Sequence, residues 1–138
     1  MEQSKSIDLS VIIVSYNVEH FLHLCLESVN AAINNINAEI IVIDNASADN
    51  SVEMMRKKFP STRVISNADN LGFGKANNKA AKLAKGRYVC ILNPDTIVSQ
   101  KTFEKFIQFH EANPTIGISG PQMIDGTGQF LLESKRGL

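Results

Sequence analysis

The 138-residue chain has no tryptophan, only two cysteines, and no glycine before Gly72. The last absence is the most telling. A dinucleotide-binding fold needs G-x-G-x-x-G in the turn after its first strand, and Asn17-Val18-Glu19 stands in that turn instead. A phosphate-cradling G-x-x-x-x-G-K-[ST] is also missing. Charge shows no bias, since 14 Lys+Arg balance 14 Asp+Glu with no block of one sign. The chain therefore lacks the electrostatic footprint of a nucleic-acid binder or of a protein drawn to anionic lipid, and a small-molecule partner fits better. No stretch approaches the roughly 18 apolar residues of a membrane span, and the polar opening MEQSKSIDLS has no apolar signal core. A soluble, cytoplasmic segment is expected. Cys25 and Cys90 sit in separate apolar segments without CxxC spacing or a histidine set to complete a metal site, which predicts two buried free thiols. The length suits one domain, residues 1–138.

What is present is an alternation of two periodicities. Ser10 to Tyr16, Glu39 to Ile43, Thr62 to Ser66 and Tyr88 to Leu92 are short apolar or β-branched runs of the kind buried in parallel sheets. Between them the spacing changes to three and four. Phe21, Leu22, Cys25, Leu26, Val29, Ala32 and Ile33 mark a helix from Val18 to about Asn34. Ser47 or Asp49 is placed to cap a second helix bearing Val52, Met55 and Phe59, closed by Pro60. A third helix runs through Ala76, Ala80, Ala81, Leu83 and Ala84 to Gly86, read as its stop, and its small residues let it lie close to a sheet. Ser99 is the expected cap of a fourth, with Phe103, Phe106, Ile107 and His110 on one side, ended by Asn113-Pro114. Ile116 to Ile124 reads as a further strand, turning at Asp125-Gly126 into Gln129 to Glu133, with the hairpin adding antiparallel strands at an edge. The predicted fold class is α/β, a nucleotide-binding three-layer sandwich with a mostly parallel sheet.

The four predicted strands end at Asn17, at Asp44-Asn45, at Asn67 and at Asn93-Pro94-Asp95, so one rim of the sheet gathers amides and carboxylates. Open α/β sheets bind ligands at that rim. A sugar nucleotide needs a flat face for its base, an acceptor for its polar edge and positive charge for its diphosphate. Tyr16 can offer the face and Asp44 the acceptor. Magnesium or manganese takes hard oxygen ligands, commonly one or two carboxylates with water and phosphate, so Asp95 can hold a metal bridging to the diphosphate. Gly72-Phe73-Gly74 permits close approach of backbone to ligand. Bland readings stand beside these: Asp44-Asn45 as an Asx-turn, Asp95 as a cap, the glycine pair as a simple turn.

The segments VIIVSYN, IIVIDNAS, NLGFGKANN and ILNPD, in this order, resemble family 2 glycosyltransferases of the GT-A fold, especially the bacterial branch that contains rhamnosyltransferases. The resemblance covers roughly residues 8 to 125. It implies an inverting transfer from a nucleotide-diphospho-sugar, dTDP-rhamnose or a UDP-sugar, to a saccharide or lipid-linked saccharide acceptor of the cell surface, with Mg²⁺ or Mn²⁺. Tyr16 would contact the base, Asp44 would hydrogen-bond a uracil or thymine ring, and Asp95 would be the metal-binding last residue of the DxD motif. Asn70, Gly72, Phe73 and Asn78 are assigned to the donor pocket, with the rim residues Asn17, Asn45 and Asn93. Asn93 departs from the first Asp of a standard DxD, leaving one protein carboxylate for the metal. The family's general base belongs to a later segment, and neither Asp125 nor Glu133 sits in a recognisable base motif, so the expectation is a fragment whose base, and any means of attaching to a membrane, lie beyond Leu138. The alternative is a module that binds nucleotide sugar without transferring it.

Overall fold

The computed structural model describes residues 6–125 and 127–129. Eight elements alternate along it: β1 (Leu9–Ser15), α1 (Glu19–Ala32), β2 (Ala38–Asp44), α2 (Ser51–Lys58), β3 (Arg63–Ser66), α3 (Phe73–Ala81), β4 (Tyr88–Leu92) and α4 (Thr102–Ala112). The strands form a parallel sheet in the order β3-β2-β1-β4. Its register keeps the carboxyl ends level, with Ser15 beside Asp44 and Asp44 beside Ser66.

β1 is buried along its whole length because both of its faces are covered. On one side Leu9, Val11 and Ile13 pack with Leu22, Cys25, Leu26 and Val29 of α1, Met54 and Met55 of α2 and Phe103 of α4. On the other, Ile12 and Val14 join Ile41 and Ile43 of β2 beneath Ala76 and Ala80 of α3. The predicted three layers are present, and alanines bring α3 close, as expected. Leu26 is wholly buried in the larger cluster, so Leu26→Ala should lower unfolding free energy by about 3 kcal/mol, read as a shift of the urea midpoint with the m-value unchanged.

Several expectations are corrected. Among the described residues β4, predicted to be buried, stands at a sheet edge: Val89 and Ile91 are 48% and 57% exposed. Their apolar run is the same as a central strand's, but α3 packs over β1 and β2, and the face of β4 on that side stays open. Residues 116–124 are irregular apart from an isolated bridge at Ile124. Gly117, Gly120 and Pro121 interrupt them, and a strand needs a neighbour to pair with. The predicted strand from Gln129 to Glu133 lies almost wholly outside the described residues.

α3 stops at Ala81 rather than running on to Gly86. The next amides are taken elsewhere: Leu83 and Ala84 turn back on Ala80, Lys85 donates to Glu39 Oε1 at 2.6 Å, and Gly86 donates to Ser10 Oγ at 2.8 Å. Gly86 is therefore a point of close approach to β1 and not a helix cap. Phe21, counted on the apolar face of α1, is 54% exposed. It lies at the margin of the stripe, in the first turn. α2 begins at Ser51 and α4 at Thr102, later than the expected caps, and neither N-cap residue makes a side-chain capping bond. The cysteines are free, Cys25 buried and Cys90 half-buried. No helix among the described residues is long and apolar enough to cross a membrane.

Candidate functional site

The rim is built by two loops tied to each other. Asn17, after β1, donates its N–H to Ser47 Oγ at 2.9 Å, and its Oδ1 accepts the N–H of Ala48 at 2.7 Å. The N–H of Glu19 reaches Asp49 Oδ2 at 2.9 Å, and Asp49 Oδ1 accepts the N–H of Ser51. Partial burial works against ionisation of Asp49, but the bonds from Ser51 and Glu19 outweigh it and hold the carboxyl below its ordinary range. Ser47 and Asp49, predicted as helix caps, thus serve as fasteners between loops. Asn17 and Ala46 both adopt positive φ, 53° and 63°. Left-handed backbone is costly for an alanine, and such conformations persist where the surroundings enforce them, commonly at functional sites.

Asp44 sits within this lock and is 2% exposed. Its Oδ2 accepts the N–H of Ser47 at 3.0 Å, so the Asx-turn reading holds for one oxygen. Its Oδ1 is buried with no hydrogen-bond partner, and so is the Oγ of Ser15, level with it on β1. A native fold rarely leaves a carboxylate oxygen buried and unsatisfied. The neighbouring Asn45 Oδ1 accepts from Asn67 Nδ2 at 2.8 Å, and Asn67 in turn accepts from the ammonium of Lys79.

Tyr16 is half exposed beside this lock, as a base-stacking ring would have to be. At the end of β4, Pro94 breaks the ladder and Thr96 closes a turn on the Asn93 carbonyl at 3.3 Å. The same carbonyl accepts the Cys25 thiol at 3.7 Å, tying the end of β4 to α1. Burial pushes both Cys25 and Cys90 up to about 11, which removes them as nucleophiles. Asn93 and Asp95 are exposed, and α4 starts too late for Asp95 to cap it. The Asp95 carboxylate has no hydrogen bond or ion pair among the described residues. Among those residues no cluster of three His, Cys, Asp or Glu could hold a metal unaided. A hard divalent cation completing its shell with diphosphate oxygens and water requires only one such unpaired carboxylate, and Asp95 fits that demand.

In the third loop Asn70 Oδ1 accepts the N–H of Gly72 at 2.9 Å, and Gly72, at φ 77°, opens α3. Gly74 is helical. Phe73 and Asn78 are exposed, while Asn77 is buried with Oδ1 unpartnered and Nδ2 donating to the Phe73 carbonyl at 3.0 Å. Asn67 is expected from the sequence only as a strand end on the rim, and Asn77 and Lys79 do not enter that expectation. The signal for Asn77 was its spacing with Ala76 and Ala80 on the sheet-facing side of α3. Asp125, weighed with Glu133 as a base, is turned inward on its own loop: Thr127 Oγ1 and the N–H groups of Thr127 and Gln129 donate to Oδ1 and hold the carboxyl below its usual range. Glu133 lies outside the described residues. A groove of about 560 Å³ between α1 and α2, lined by residues including His20, His23, Glu53 and Lys57, does not include Tyr16, Asp44 or Asp95.

This architecture and rim have counterparts. The family model described as Glycosyl transferase family 2 matches residues 10–136. The minor teichoic acid biosynthesis protein GgaB of Bacillus subtilis is 36% identical over 114 residues, 80% of this chain and 13% of that protein. An uncharacterized glycosyltransferase of Methanocaldococcus jannaschii is 33% identical over 133 residues, 92% of this chain and 46% of its own length. Poly(ribitol-phosphate) beta-glucosyltransferase of Bacillus spizizenii is 30% identical over 126 residues, 87% of this chain and 20% of that enzyme. This chain thus spans less than half the length of these relatives. Among solved structures, S. aureus TarS 1–349 superposes with a TM-score of 0.71 at 23% identity, over 84% of this chain and 39% of that one. The mannosyltransferase PcManGT from Pyrobaculum calidifontis, in complex with GDP-Man and Mn²⁺, gives 0.72 at 22%, over 83% of this chain and 35% of that one. At such identity these structures establish the GT-A fold. With a family model over most of its length and relatives above 30% identity, the chain belongs to glycosyl transferase family 2.

Proposed function

We propose that this chain binds the nucleotide-sugar donor of an inverting glycosyltransferase, on the rim formed by Tyr16, Asn17, Asp44, Asn45, Asn70, Gly72, Phe73, Asn78 and Asn93, with Asp95 as the protein's metal ligand. The observation that carries this reading is Asp44: a buried carboxylate with one oxygen pinned by Ser47 and the other unpartnered, at the level rim of the sheet. It is an acceptor waiting for an N–H, as the imide of uracil or thymine would supply, and Tyr16 would stack on the ring beside it.

In the transfer the acceptor oxygen attacks the anomeric carbon from the side opposite the nucleotide. A bond forms to that oxygen as the bond to the diphosphate breaks, the electron pair leaves with the nucleoside diphosphate, and the acceptor proton passes to a base. With Asp125 held in its own turn, that base is assigned outside the described residues. The rim orients the donor so that only the anomeric face is open, which lowers the entropic part of the barrier. Mg²⁺ or Mn²⁺ held by Asp95 would supply positive charge against the leaving diphosphate. Relatives named for teichoic acid biosynthesis and for poly(ribitol-phosphate) glucosyl transfer support a cell-surface polymer or its lipid-linked precursor as acceptor. Structures of TarS with UDP and UDP-GlcNAc support a nucleotide-sugar donor, with dTDP-rhamnose the candidate from the ILNPD branch.

The test is calorimetric titration of UDP, dTDP and GDP with Mn²⁺ into the chain and into Asp44→Asn. Binding of at least one, weakened roughly tenfold by the substitution, is the expected result, since an amide can turn its N–H₂ toward the base where a carboxylate only accepts. A folded chain that binds none of them would overturn the proposal.

A further inference from the structure

The loop that carries Asp95 is moored to α1 at two points. Between the end of β4 and the start of α4, Asn93, Asp95 and Ile97 are exposed and Pro94 and Thr96 half-buried, while Val98 is buried and joins Phe103 in the larger core cluster. The first mooring is Cys25, whose thiol donates to the Asn93 carbonyl at 3.7 Å. Burial, and after it the nearby Asp95 charge, hold that thiol up at about 11 against the Thr96 N–H, so it stays protonated and able to donate. The second mooring is Ser28, three residues further along α1. Its hydroxyl proton goes to the Cys25 carbonyl at 2.8 Å, which leaves a lone pair for the Val98 N–H at 3.0 Å. Asp95 lies between the two moorings and has no hydrogen bond or ion pair of its own among the described residues. Its position is inherited from α1.

We propose that Ser28 is a positioning residue for the metal ligand: by holding the Val98 N–H it fixes the far end of the Asn93–Val98 loop, and with it the place from which Asp95 meets the cation. The inference rests on the reading of Asp95 given above and extends it to a helix residue that is no ligand itself. Without the hydroxyl, the amide of a buried valine loses its partner. The loop regains one only by moving out to water, and affinity falls with the fraction of chains that keep Asp95 in place.

Ser28→Ala and Ser28→Thr test it in the full chain, beside Asp95→Ala and, as a measure of general loosening, Leu26→Ala on the same helix. Dissociation constants of UDP, dTDP and GDP are measured with and without Mn²⁺, alongside thermal midpoints. In Ser28→Ala the affinity with Mn²⁺ should fall about tenfold, while the metal-free affinity stays within about twofold of wild type. Ser28→Thr, whose Oγ1 can make the same bond to the preceding turn, should restore the Mn²⁺-dependent gain to within about threefold. Leu26→Ala should lower the midpoint and keep the gain. An equal fall with and without Mn²⁺ in Ser28→Ala, or the same loss of gain in Leu26→Ala, would overturn the assignment. A gain lost in Asp95→Ala but unchanged in Ser28→Ala overturns this inference alone. A wild-type chain without a Mn²⁺-dependent gain, or one equal to that of Asp95→Ala, overturns the reading of Asp95 and this inference with it.

Discussion

Asp95→Ala should abolish the metal-dependent part of nucleotide binding. With Mn²⁺ present, the variant is expected to bind its nucleoside diphosphate about 100-fold more weakly than wild type, a loss of about 3 kcal/mol; without metal the two should differ little. The size of the effect follows from how few ligands the protein offers. Asn93 contributes at most a neutral oxygen, and the described residues contain no acidic or histidine cluster that could take over. A cation shared between one carboxylate and a diphosphate is held only while both are present, so removing the carboxylate should uncouple metal from nucleotide. The variant should fold normally, because the Asp95 side chain is exposed and makes no hydrogen bond or ion pair among the described residues. Equal Mn²⁺-dependent affinities in the two proteins would show that the metal ligand lies elsewhere.

Gly86→Ala should strongly destabilise the fold. A Cβ there would stand 2.4 Å from the Ser10 nitrogen and 2.6 Å from the Leu9 carbonyl carbon. Both are backbone atoms of the central strand, so no side-chain rotation relieves the clash. The same site carries a polar network in which Gly86 N–H donates to Ser10 Oγ, and Ser10 Oγ donates to Glu39 Oε1 at 2.6 Å. Pushing β4's approach outward would break these bonds and loosen the β1–β4 ladder. A cost of about 3 kcal/mol is expected, a fall of roughly 10 °C in melting temperature for a domain of this size. A change within 2 °C would mean that the turn relaxes more easily than its packing against β1 implies.

How much of this was legible beforehand can be followed residue by residue. The run SVIIVSY was readable as a strand buried on both faces, because β-branched residues without polar alternation rarely occur otherwise. YVCIL was readable as a strand by the same token, but not as an edge, because its composition does not record which neighbour stops short of covering Val89 and Ile91. Gly86 was readable as punctuation only; that its missing side chain makes room for Ser10, 76 residues away, is invisible along the chain. At the site, Asp44 and Asp95 stood out as acidic residues at strand ends. Asn77 did not, since neighbouring Asn78 is equally polar and only burial separates them.

The sequence by itself determined the order of strands and helices, the α/β class and the gathering of Asn17, Asp44, Asn67 and Asp95 at one rim, because periodicity and strand-ending residues act over a few neighbours at a time. Only the tertiary structure decided that β4 is an edge among the described residues, that Asn17 is spent on locking Ser47 and Ala48, that one oxygen of Asp44 is left over, and that Asn45, Asn67 and Lys79 meet in one hydrogen-bonded chain. Each of these depends on which distant segments meet, and on whether a polar atom finds its partner there or is left to take one from a ligand.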